Sequence, residues 1–462
     1  MKPITSVLQS MIVATLLFCA SSCRKEDTLI ESLDTPDNLA TAKVSATGRQ
    51  FTLLPDADGR LVIDNAINTY QPGDVLNLAG QFKAVLISNL NGNAKAPIII
   101  QNLKDSVVSI GNPSWNGGGQ PVACVLWNCH YIKLGGQSGQ QSFIISGSTQ
   151  AAREAYYDLQ IGNKSDNIEI CNLSIMNGGN GIVAKTDPVK GDRGTVHPNL
   201  IMQNLSIHDI DIMNTKNEGM YVGHTATYWD LTANVPYYGA PGSGATGHEY
   251  VQPAMWNNVK IYNCKVHETG LDGIQTAAIN QLEIYDNEVY HWATQQNASH
   301  NGGILIGGRA TNTKTHNNYV HDGWGELCQF YGSGEKGSSH FIYNNLFMNN
   351  ESDGISVRGS ANAIVWIGYN TIANTRGNNV RLNGYTGMKA AQFIYGNVLI
   401  APRKGESTIY DKNYIYIEQG ATLKEGDGVY KNKRYPTMAA AGAGNRKFQT
   451  PVGQTQIGAP GF

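Results

Sequence analysis

Four acidic residues recur beside glycine at a regular interval, and two arginines follow them. They are Glu218, Asp272, Glu326 and Asp353 among the acids, with Arg358 and Arg381 close behind. The stretches that hold them are "NEGMYVG", "LDGIQTA", "GELCQFY" and "SDGISVRGS". Carboxylates brought together must share a cation, a proton or hydrogen-bond donors. A pair about 5 Å apart suits a retaining glycosidase, and about 10 Å an inverting one. Such a pair can also bind Ca²⁺, with Glu218 and Asp272 as the candidate ligands. An arginine beside them points to a different reaction. It can neutralise a uronate carboxylate so that a base removes the adjacent proton. Each acid has a plainer reading too, because Asp before Gly is ordinary turn chemistry.

These residues need elements that hold them in register. Asn172, Asn204, Asn263, Asn287, Asn318, Asn345, Asn370 and Asn397 each precede a short apolar stretch. Most are separated by roughly 25 to 30 residues, the period of a stacked repeat. One interval is about double and contains an insertion at 225–256. Short alternating strands with Gly-containing turns at this period predict a parallel β-solenoid. Helical repeats are excluded, since they need helical periodicity. Asn at a recurring corner predicts a ladder of side-chain amides. His208, His267, His291 and His321 read as a second stack.

A second strand column follows each Asn. Its third and fifth positions are mostly apolar, as in Ile274/Thr276, Cys328/Phe330 and Ile355/Val357, and are predicted to face inward. The fourth and sixth positions then face outward. The fourth holds Tyr221, Gln275, Gln329 and Arg381; the sixth holds Lys185, Tyr331, Arg358 and Asn383. Arg358, Glu326, Tyr331, Asp353, Asp272 and His300 are the catalytic candidates. Tyr221, His224, Gln275, Arg309, Gln329, Arg381 and Asn383 are candidate substrate contacts. Trp229 and Tyr238 join them from the insertion, whose aromatics suit the wall of a sugar-binding groove or its own packing.

The stretch "GDVLNLAGQFKAVLISNLNGNAKAPIIIQN" (73–102) resembles the opening of right-handed parallel β-helix polysaccharide lyases and their relatives. The resemblance covers roughly 50–400 and implies that fold. It leaves the activity open, because one fold hosts lyases, hydrolases, epimerases and binding proteins. "NEG", "LDG" and "HNGG" stand loosely where polygalacturonases carry their motifs, but that family's Asp-Asp pair is absent. The Asp-Pro-His signature of epimerases is missing as well. The expectation is a lyase on an acidic polysaccharide. A glycoside hydrolase or a non-catalytic glycan-binding solenoid are the alternatives, with Ca²⁺ as the one cofactor considered.

The chain has 462 residues, a formal charge of −2, 52 glycines and 23 tyrosines. That balance suits a turn-rich all-β protein and gives no basic field for nucleic acid. Residues 1–22 read as an export signal, and "SSC" resembles a lipoprotein box with Cys23 as the lipidated residue. The following "RKED" resembles the signal that sends some bacterial lipoproteins to the outer face of the outer membrane. Residues 23–50 read as a tether and 51–462 as one β-helix domain, irregular after about 410. A monomer is expected. The cysteines at 124, 129, 171, 264 and 328 show no disulfide or zinc spacing, although a Cys124–Cys129 bridge is conceivable.

Overall fold

The computed structural model describes residues 48–441, apart from 138, 332–337, 359–362, 384–391, 403–412 and 419. The export signal, Cys23 and most of the tether lie outside the described residues.

Short β-branched strands separated by Gly and Asn turns cannot bury both faces alone. Here they stack in parallel, strand upon strand, as a right-handed parallel β-helix. One ladder forms a 12-stranded sheet, from Arg60–Asp64 to Ile415–Ile417. The other strands form two further ladders, which merge where Asp166–Met176 and Ile201–Met213 run continuously through both. No α-helix occurs among the described residues. The interior is one apolar column from Ile63 to Leu399. All five described cysteines are free and buried, so the Cys124–Cys129 bridge is not formed.

The 12-stranded sheet keeps the expected register. Ile274 pairs with Ile304, Ile304 with Cys328, Cys328 with Ile355, and Ile355 with Val380. These residues are fully buried, as the alternation requires. The glycine at the second position has a cause other than a turn. Gly219, Gly273, Gly303 and Gly354 do not have positive φ. A Cβ on Gly273 would lie 2.6 Å from Val289, and one on Gly354 would lie 2.8 Å from Ile372. The glycine is there because the core leaves no room for a side chain.

The amide ladder forms, but with a different membership. Asn287, Asn318, Asn345, Asn370, Asn397 and Asn432 pass hydrogen bonds from coil to coil at 2.8–3.0 Å. Asn172, Asn204 and Asn263 are not in it; each has a positive φ at a bend. In that coil the ladder position is Cys264, whose N–H donates to Asn287. Nor is there one histidine stack. His208 stacks on Tyr262, His267 and His321 sandwich Tyr290, and His291 pairs with Glu268. The registers His208↔Tyr262 and His267↔Tyr290 place them in separate columns.

Two further departures concern the excursions. The insertion folds as a small antiparallel sheet of Tyr228–Asp230, Val235–Tyr237 and Tyr250–Pro253, joined by Val196–His197 from the preceding coil. Beyond 410 the stack continues instead of becoming irregular. Ile415–Ile417, Leu423–Glu425 and Lys433–Tyr435 add to the three ladders.

Asn345 is fully buried and lies mid-ladder. Asn345→Ala strips its amide from the Thr315 and Tyr343 carbonyls and removes the acceptor of the Asn318 backbone N–H and of one hydrogen of its side-chain amide. Unsatisfied buried groups cost about 1–3 kcal/mol each, so urea denaturation should show a loss of about 3 kcal/mol. A change below about 1 kcal/mol would mean the ladder contributes little to stability.

Candidate active site

The candidate residues gather on the outer side of the 12-stranded sheet, where adjacent coils bring their first, fourth and sixth positions together. Their exposure differs from the expectation of an open stripe. Gln275, Gln329 and Ser356 of the fourth column are 2 %, 4 % and 0 % exposed. Glu218, Asp272, Glu326 and Asp353 are buried as well. Buried carboxylates need partners, and each is supplied from a neighbouring coil.

Arg358 is the partner of Glu326. Its Nη2 meets Glu326 Oε1, and its Nε donates to Ser356 Oγ at 3.1 Å. Gln329 Nε2 donates to the other Glu326 oxygen and, at 2.6 Å, to Asn301 Oδ1. Burial pushes the Glu326 carboxyl up, and the Arg358 charge and the Gln329 hydrogen bond oppose that shift. The guanidinium also lies 5.8 Å from the centre of the Tyr331 ring, within cation–π range. Tyr331 is 50 % exposed.

The next coils repeat the arrangement. Asp353 Oδ1 accepts from the Asn378 backbone and side chain at 2.7 and 2.9 Å. Arg381 spans Asp353 at 3.5 Å and Glu418 at 2.5 Å, and its Nε donates to Asn383 at 2.9 Å. At the other end, Lys185 lies 4.8 Å from the Tyr221 ring centre, and Tyr221 is tied to Thr225 at 2.9 Å. Burial works against the Lys185 charge. Tyr221, Asp187, Tyr157 and Tyr238 outweigh it and hold the ammonium above its ordinary pKa.

Between these ends, the loop that leads into the 12-stranded sheet at Gly302–Ile306 folds back over the preceding coil. Trp292 is buried and donates to the Asn301 carbonyl at 2.9 Å, while the Ala293 and Thr294 amides bond Leu271 and Thr269. The loop sets His300 over Glu218 and Asp272, with Nδ1 at 3.4 and 3.6 Å from their oxygens. Asp272 and then Glu218 raise the His300 pKa to about 10. Burial pushes Asp272 up. These three are the donor set nearest to a metal site here. Ca²⁺ calls for six to eight oxygen ligands, whereas this cluster offers two carboxylates and an imidazole.

Several expected contacts anchor the insertion instead of facing solvent. His224 is buried and bonds the Thr186 carbonyl at 3.0 Å and Asp187 at 3.2 Å; burial lowers its pKa. Arg309 is buried and donates to the Pro253 carbonyl at 3.0 Å. Trp229 packs with Val196, Leu231 and Val251. Of the insertion's two expected sugar contacts, Tyr238 stands free at 70 % exposure. Asn180 and Asn301 were missed by the sequence reading. Asn180 binds Glu218 Oε2 at 2.6 Å, and its signal was its place at the head of the acidic column.

Removing one partner of a buried ion pair leaves the other uncompensated, which costs about 3–5 kcal/mol. Arg358→Ala should therefore destabilise the fold, and Glu326→Gln should relieve much of that loss. A double-mutant cycle in urea should give a coupling of at least about 1.5 kcal/mol. Additive losses would show that the pair is not coupled.

No family model and no curated protein sequence matches the chain. Among solved structures it is similar to the GH136 lacto-N-biosidase of Eubacterium ramulus, at 13 % identity and TM-score 0.48. That match covers 80 % of this chain and 63 % of that one, so the chain spans under two thirds of that protein's length. It is also similar to the A-module of the Azotobacter vinelandii mannuronan C-5 epimerase AlgE4, at 14 % identity and TM-score 0.41, covering 74 % and 87 % of the two chains. A third is the periplasmic alginate epimerase AlgG, at 9 % identity and TM-score 0.43, covering 82 % and 79 %. No site residue is carried over from any of them.

Proposed function

We propose that the protein binds and cleaves a uronate-containing polysaccharide by β-elimination along the outer side of the 12-stranded sheet. One observation supports this reading: Glu326 and Asp353 lie deeper in the sheet than Arg358 and Arg381, the arginines that pair with them. Glu326 is 2 % exposed against 23 % for Arg358, and Asp353 is 1 % against 15 % for Arg381. A polymer approaching Glu326 or Asp353 meets Arg358 or Arg381 first, with the exposed Tyr331 beside Arg358; Glu418, the outer partner of Arg381, is itself 30 % exposed. That surface suits an anionic sugar, with aromatic rings available to its C–H faces.

In the reaction, Arg358 would face the uronate carboxylate and offset its charge, so that the proton on the adjacent carbon becomes acidic. A side-chain base takes that proton. The electron pair forms the new C=C bond, and the bond to the leaving glycosidic oxygen breaks. That oxygen then acquires a proton. Tyr331 stands beside Arg358 and is open to solvent, which makes it the acid–base candidate. Glu326 and Asp353 act as positioning residues, holding Arg358 and Arg381 from below. Glycoside hydrolysis is the second reading, because Glu218 and Asp272 do form a close pair. Their burial under His300 counts against it, since a glycosidase acid must touch the glycosidic oxygen.

Lipidation at Cys23 and anchoring to the outer face of the outer membrane are part of the proposal. They rest on the "SSC" and "RKED" stretches. Release of a Cys23→Ser variant into the soluble fraction supports them; retention in the membrane argues against them.

A panel of uronate polysaccharides, read both by absorbance of the unsaturated product and by reducing ends, tests the chemistry. Tyr331→Phe should lower turnover by 100-fold or more with unchanged thermal stability. New reducing ends without unsaturation would move the assignment to hydrolysis. Retarded migration in polysaccharide-containing gels without turnover would indicate binding alone.

A further inference from the structure

The cluster at His300 is built more like a metal site than its role beneath a sugar requires. Glu218 is 7 % exposed at the side chain and Asp272 is 0 %. Each commits one oxygen to a fixed N–H donor. Asn180 Nδ2 donates to Glu218 Oε2 at 2.6 Å, and the Gly302 amide donates to Asp272 Oδ1. Each thereby turns its second oxygen towards the same point. Donors of this kind are what orient ligands in metal sites.

The second oxygen of Asp272 is the independent indication. Oδ2 is buried and accepts no hydrogen bond within the protein. His300 Nδ1 is 3.6 Å from it, an ion-pair distance too long for a hydrogen bond. A fully buried carboxylate oxygen with no hydrogen bond, held only by a longer ion pair to His300, has room for a closer partner. His300 Nδ1 is 3.4 Å from Glu218 Oε1, and one donor atom from each of the three residues lies within 4.8 Å of the others. Bonds of about 2.1 Å place tetrahedral donors about 3.4 Å apart, close to the two distances from His300 Nδ1 to the carboxylate oxygens.

We propose that Glu218, Asp272 and His300 bind one divalent transition-metal ion of the Zn²⁺ or Co²⁺ type. Two carboxylates and an imidazole favour such an ion over Ca²⁺, which takes six to eight oxygens. Three protein ligands leave a further coordination position. His300 is 44 % exposed, so the ion has a way in along its edge. The inference does not depend on the polymer proposed above and stands or falls by metal binding alone.

The test uses the whole secreted chain, stripped with chelator and titrated with Co²⁺, Zn²⁺ and Ca²⁺. Equilibrium dialysis gives the stoichiometry, and the visible Co²⁺ absorption reports coordination. One Co²⁺ or Zn²⁺ per chain is expected, bound at least 100-fold tighter than Ca²⁺. His300→Ala and Asp272→Asn should each weaken it at least 10-fold. The half-exposed His300 makes its variant the safer one, and thermal melts check that both fold. Glu169, Cys171 and His208 form a second possible metal-binding group, so Glu169→Gln serves as the control and should leave binding unchanged. Absence of stoichiometric binding, preference for Ca²⁺, or loss in Glu169→Gln with retention in His300→Ala would each overturn the proposal.

Discussion

Parallel strands repeat at about 4.8 Å, so each residue of the solenoid lies directly against its counterparts in the coils above and below. The coils of the solenoid answer to this constraint. Apolar residues satisfy it by stacking into a continuous core. Buried amides satisfy it by becoming donor and acceptor at once, as in the run from Asn287 to Asn432. Aromatic residues satisfy it face to face, as in Tyr262, Tyr285, His316 and Tyr343, with ring planes 6–16° apart.

Charges answer to it less easily. Like charges in one column would repel, and the sheet resolves this by crossing between columns. A carboxylate at the first position of one coil is met by a cation from the sixth or fourth position of the next, as Glu326 is by Arg358 and Asp353 is by Arg381. The geometry decides which partner is buried. The acid sits at the base; Asp353 there precedes Gly354, where a Cβ would lie 2.8 Å from Ile372 of the core. The long arginine reaches over it and keeps its head near water, as amphipathic side chains do. A pairing that solves a packing problem thus also sets Arg358 and Arg381 outside Glu326 and Asp353. Where the acids stand without an arginine, at Glu218 and Asp272, a histidine from a folded-back loop takes its place.

The excursions follow a different logic. The insertion carries its own small core around Trp229 and is fastened to the solenoid by buried polar residues, His224 and Arg309. Those residues are polar because they bond carbonyls of the backbone they hold down.

The amino-acid sequence by itself determined the solenoid, its period, and the column to which Ile274, Cys328, Ile355 and Val380 belong, because strand alternation and coil repetition are local and periodic. It also placed Glu326 beside Asp353 and Arg358 beside Tyr331, since matched positions in neighbouring coils must touch. Only the tertiary structure decided which of them meet solvent. Exposure depends on loops between strands, whose lengths and paths do not repeat. The 291–301 loop lowers His300 onto Glu218 and Asp272, and no spacing in the chain announces that. Membership of the amide ladder was decided in the same way. Asn263 and Asn287 look alike in sequence, but a positive φ turns the first out of the column and leaves Cys264 in its place.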